Sequence, residues 1–105
     1  MRLAPLLLLL ACSSAGYAPN RPLILQDVMI AGQPGLIVII EGDTILGVEH
    51  AEGVVPPPNS ELIEGKGREL RAAGSPIEAG SRANMVLLDE RGRAVITIRD
   101  GVIYR

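Results

Sequence analysis

The chain has 105 residues, 48% of them hydrophobic, and a net charge of -2 at pH 7. Its 10 basic and 12 acidic residues are interspersed and only Tyr17 and Tyr104 are aromatic, which excludes a basic footprint or a stacking platform for nucleic acid. A single domain of this length buries roughly 60–65% of its unfolded surface, enough for a core but not for a core plus a deep catalytic cavity.

The chain begins with Met1-Arg2, followed by an apolar run, Leu3–Ala11, that holds five consecutive leucines at Leu6–Leu10. The run is shorter than the ~20 residues that span a bilayer. It fits the apolar region of a secretory signal over residues 1–11. Leu9-Leu10-Ala11-Cys12 also resembles a bacterial lipobox. That resemblance implies cleavage before Cys12, lipidation of its thiol and attachment to a membrane. A plain secretory signal and an apolar start buried in the domain are the alternatives. The expected location is the cell envelope, lipid-anchored, or else periplasmic or secreted. Cys12 is the only cysteine, so no intrachain disulfide can form. Residues 12–22, with Pro19 and Pro22, read as an extended tether.

Residues 23–105 read as one β domain. With no Phe or Trp in the chain, its core must be aliphatic. Leu23–Ile30 is a strand, interrupted by Asp27 at an exposed position or a bulge. Ala31–Gly35 is a turn by composition. Leu36–Ile40 is apolar at every position and should be covered on both faces. Glu41-Gly42-Asp43 links it to a second arm, Thr44–Glu49, as a hairpin. His50–Asn59 is a loop kept extended by Pro56-Pro57-Pro58. Glu61–Glu64 is a short strand, and Gly65-Lys66-Gly67 a tight turn. Arg71–Ala79 shows no sustained period. Asn84–Asp89 and Ala94–Arg99 are strands. Asp100-Gly101 is the strongest two-residue hairpin signal, and Val102–Arg105 returns as the last strand. The expected fold is all-β, a small composite sandwich of about seven strands behind an apolar leader.

Two pieces of this pattern resemble one family. Ile40-Glu41-Gly42-Asp43-Thr44-Ile45-Leu46-Gly47-Val48 and Leu62-Ile63-Glu64-Gly65-Lys66-Gly67-Arg68-Glu69-Leu70 match I-E-G-(D/G)-x-I-x-x-V and V-I-D-x-x-G-K-x-L. These motifs open many members of the amidohydrolase superfamily, the imidazolonepropionase-like metal-dependent hydrolases among them. Gly74–Asp89 resembles the closing motif G-S-I-E-x-G-K-x-A-D-L-V-x-L-D, followed by Asp100-Gly101-Val102 for D-G-x-V. The departures are an inserted Pro76, Ser81-Arg82 in place of Lys-x, and Asn84 in place of Asp.

In the family these pieces come from opposite ends of a longer chain. They form a composite β-sandwich beside a catalytic (β/α)8 barrel that hydrolyses carbon–nitrogen bonds other than peptide bonds. The resemblance therefore implies a hydrolase ancestry and a zinc or other divalent-metal cofactor. It also implies that the barrel holding the metal, with its His-x-His pair, Lys, two further His and an Asp, is missing around Leu70–Gly74. No cofactor, catalytic residue or metal ligand is then expected in this chain.

Other sites are no better supported. His50, flanked by Glu49 and Glu52, reads as a solvated histidine. Ser13, Ser14, Ser60, Ser75 and Ser81 lack a Gly-x-Ser-x-Gly context. Asp27, Asp43, Asp89 and Asp100 fall at turns and strand ends, where short carboxylates satisfy backbone donors. Two other readings compete: a lipid-anchored envelope binding module, and a truncated gene product without function. The sandwich face that would meet the barrel should expose aliphatic side chains, with Leu62, Leu70, Ile77 and Met85 as candidates. Self-association or modest stability is then expected.

Overall fold

A computed structural model describes residues 21–105. The leader and most of the tether, Cys12 included, lie outside the described residues. The fold is all-β, with eight strands in two four-stranded sheets. The first sheet contains β1 (Leu23–Ile30), β2 (Gln33–Glu41), β3 (Thr44–His50) and β4 (Glu61–Glu64), in the order β3-β2-β1-β4. The second contains β5 (Leu70–Ala72), β6 (Met85–Leu88), β7 (Ala94–Arg99) and β8 (Val102–Tyr104), in sequence order. All pairings are antiparallel except β1 with β4.

The first sheet starts from its turns. Ala31 and Gly32 both have positive φ, 51° and 83°. That mirror-image geometry matches the twist of the flanking strands. The turn is therefore two residues, not five, and β2 starts at Gln33. The next link is likewise Gly42-Asp43 alone, with only Gly42 at positive φ. Asp27 forms the expected bulge: its φ is 59°, and the register with β2 slips between Leu25 and Val28. The extra residue lets Leu25 and Val28, three apart, both join the core. The bulge carbonyls are not orphaned. Gly65 N–H donates to Gln26 O at 2.7 Å, and Gly67 N–H to Asp27 O at 2.8 Å. That close approach explains the glycine at 65. A Cβ there would lie 2.5 Å from Val28 Cγ1 and 2.6 Å from Asp27 O.

β2 is covered on both faces, as its unbroken apolar run requires. Leu36, Val38 and Ile40 point into the shared core, while Ile37, on the opposite face, is equally buried. Ile24, on β1, is also fully buried outside that core. Residues 51–60 connect β3 to β4, which lie at opposite edges of the sheet. The core face is filled, so this proline-rich connector must cross the outer face. Ala51, Val54, Pro56 and Ser60 along it are half-buried. Its ends are fastened by Ala51 N–H to Gly35 O and by Glu61 N–H to Pro22 O. Arg21, at the end of the tether, donates from Nε to Asn59 O at 3.0 Å.

One core joins the sheets. Leu23, Leu25, Val28, Leu36, Val38, Ile40, Ile45 and Ile63 come from the first sheet. They pack with Leu70, Met85, Leu87, Ile96 and Ile98 of the second, and with Ala83. It is aliphatic but for Met85, and among the described residues no polar side chain is buried with it. Two expectations are corrected here. Leu70 and Met85 are not on a bared face: both are buried, because β5 and β6 turn them into the sandwich. Ile77 is half-buried against the same core, and only Leu62 is well exposed. The strand count is eight because Leu70–Ala72 pairs with Met85–Leu87, Leu70 opposite Leu87.

Candidate functional site

The polar constellation with the most partners closes one end of the sandwich. Two hairpin tips meet there: Gly42-Asp43 from the first sheet and Asp100-Gly101 from the second. The second tip is the Asp-Gly turn read from sequence, with φ of 51° and 80°. Residues 80–83 run between the tips and tie them by backbone hydrogen bonds. Ile45 N–H donates to Ser81 O, Gly80 N–H to Ile45 O, Ala83 N–H to Asp43 O and Gly101 N–H to Ala83 O, all at 2.8–3.0 Å. Arg82 is thereby held between the tips. Its Nη1 donates to Asp43 Oδ2 at 3.1 Å and to Asp100 Oδ1 at 3.3 Å. Asn84 adds a polar brace, accepting from Asp100 N–H at 2.8 Å and donating from Nδ2 to Ser75 Oγ.

This cluster is a clasp by its chemistry. Both carboxylates are already paired with one guanidinium, and all three side chains are more than half exposed. Solvent screening keeps such pairs weak. Arg82→Met is therefore expected to cost no more than about 1 kcal/mol, a loss that shrinks in high salt. Urea unfolding at two ionic strengths measures it; a salt-independent loss of several kcal/mol would contradict the exposed geometry.

A second polar region is a cleft of about 290 Å³ lined by Met29, Lys66, Arg68, Glu69, Asp89 and Glu90. It holds an orphaned donor, as Arg68 Nε is buried without a hydrogen-bond partner. Asp89 is committed elsewhere: its Oδ1 accepts from the N–H groups of Arg91 and Arg93 at 2.8 and 2.9 Å, the turn role read from sequence. Lys66 sits at the turn expected of it, with φ of 55°.

The remaining sequence candidates are not brought together. His50 ends β3 opposite Leu36 and is exposed, as are Glu49 and Glu52. Among the described residues no three His, Cys, Asp or Glu side chains are placed to hold a metal. Asp43 and Asp100, which share one partner, face a guanidinium rather than an open position. These donors do not fit the divalent metal that the amidohydrolase resemblance implies. Cys12, the expected lipidation site, lies outside the described residues.

Comparison with family models, with curated proteins and with solved structures gives no match to this chain. The amidohydrolase resemblance thus rests on the two motif pieces alone. Sequence reasoning missed Arg82 as the residue joining the two tips. Its only signal was position, in place of the family's Lys-x, and its partners are 39 and 18 residues away.

Proposed function

We propose that this chain is a non-catalytic β-sandwich module, related to the composite domain of an amidohydrolase and without hydrolase activity of its own. The observation that supports the reading is the way the two motif pieces assemble. Leu23–Leu70 supplies the whole first sheet, and Gly74–Arg105 supplies three strands of the second. They share one core and meet at the Asp43–Arg82–Asp100 clasp. The junction between them, Leu70–Gly74, is occupied by a short strand and a bend. This is the point at which the family inserts its barrel. The module is carried to the envelope by the Cys12 signal.

The test uses protein extracted from the envelope, whose mass also reports whether the chain starts at a lipidated Cys12. Equilibrated with zinc and offered cyclic amides and dipeptides, it is expected to show no turnover above the buffer blank. Stoichiometric zinc accompanied by turnover would overturn the proposal.

A further inference from the structure

We propose that the free edge of β8 pairs with β8 of a second copy, antiparallel about a twofold axis centred on Ile103, forming a continuous eight-stranded sheet. Four sheet edges have to be accounted for. The β3 edge is engaged at its start by residues 80–83, through the bonds of Ile45 and the Thr44–Arg82 bridge. The β5 edge is approached by β1 at the residue before the strand, through the Met29–Glu69 bridge. The β4 edge carries Glu61 and Glu64, so a twofold pairing there gathers four carboxylates along one short ladder. No described strand covers β8.

The register follows from the turn. The two-residue Asp100-Gly101 loop makes Arg99 and Val102 a hydrogen-bonded pair, and Thr97 and Tyr104 the next one. The N–H and C=O of Val102 and Tyr104 therefore point to β7, and those of Ile103 point away from the sheet. An isologous antiparallel ladder needs outward groups opposite outward groups. Placing Ile103 opposite Ile103 of the second copy satisfies this. The two Ile103 residues exchange two hydrogen bonds, and Arg105 N–H meets the Gly101 carbonyl in each direction.

The same register covers apolar surface. Val102 and Tyr104 are 53% and 50% exposed, two of the five large hydrophobic side chains left in solvent among the described residues. In the pair, Val102 of each copy lies directly across from Tyr104 of the other. Ile103, half-buried against the core, continues that core across the axis. Charge agrees: Arg105 of each copy comes beside the Asp100–Gly101 turn of the other. Arg99, 5.5 Å from the Tyr104 ring centroid, holds that ring against the sheet. A ladder this short is a small interface, so a weak, concentration-dependent dimer is expected.

Sedimentation of the full chain over a concentration series, with amide exchange at both ends of the series, tests this. A monomer–dimer equilibrium is expected, with exchange at Ile103 slowed about tenfold or more in the concentrated sample. The amides of Val102 and Tyr104, already bonded to β7, should change little. Val102→Lys with Tyr104→Lys replaces two exposed side chains and should weaken the dimer at least about tenfold without altering the circular dichroism spectrum. Leu62→Lys, on the acidic edge, should leave it intact. A monomer at every concentration, growth beyond a dimer, or association that leaves Ile103 exchange unchanged would each overturn the proposal. The last of these also separates edge pairing from clustering of the apolar leader.

Discussion

Gly101→Ala is expected to destabilise the fold by about 3–5 kcal/mol, a large fraction of the total for a domain this small. A Cβ at Gly101 would run into the carbonyl oxygen of Gly42 and press on Cα of Asp43. Both are backbone atoms, so no side chain can rotate away. The positive φ of 80° adds about 1 kcal/mol for any residue with a Cβ. The steric cost falls on the contact that closes the sandwich, because Gly42 belongs to the first sheet and Gly101 to the second. Gly92→Ala supplies the internal control. Gly92 has nearly the same φ, 78°, and nothing within 4 Å of its ideal Cβ. It should lose only the backbone contribution, about 1 kcal/mol. Thermal unfolding of the two variants separates strain from clash, with Gly101→Ala melting roughly 10 °C or more below Gly92→Ala. Equal melting points would mean that the hairpin tips do not touch.

Truncating Leu25 to alanine should cost about 3–4 kcal/mol. Leu25 is fully buried on the central strand pair, between Val38 of β2 and Ile63 of β4. Its side chain contributes to the cluster that also contains Leu70, Met85, Leu87 and Ile98. The cavity therefore opens against both sheets. Amide exchange should speed up in β6 and β7 as well as in β1 and β2, since the sheets share one core and unfold together. Faster exchange confined to the first sheet would show two separate cores. Leu62→Ala, on a half-exposed side chain of the outer face, should shift the urea midpoint by less than about 1 kcal/mol equivalent.

Some of this architecture was legible in single segments. Leu23–Ile30, Glu61–Glu64 and Ala94–Arg99 form strands over the same residues that their patterns mark. The Asp100-Gly101 turn adopts the geometry its dipeptide favours. The bulge at Asp27 was readable because a short carboxylate in an apolar run tolerates positive φ. β5 was not legible. Leu70-Arg71-Ala72 has neither alternation nor strong strand formers, and it is extended because Met85–Leu87 lies beside it. The misassigned Leu70 and Met85 have the same cause. Whether an aliphatic side chain points into a core or out of a face depends on which strand pairs with its neighbour.

The all-β class, the aliphatic make-up of the core and most turn positions are written in the order of residues, because they depend on dihedral preferences and on the alternation of neighbouring residues. The two-sheet order, the connector across the outer face, the Arg82 clasp and the β8 edge that no described strand covers came from the folded chain as a whole. Arg82 reaches Asp43 across 39 residues of chain. Contacts of that range are selected by packing and closure of the whole sandwich, which no local pattern encodes.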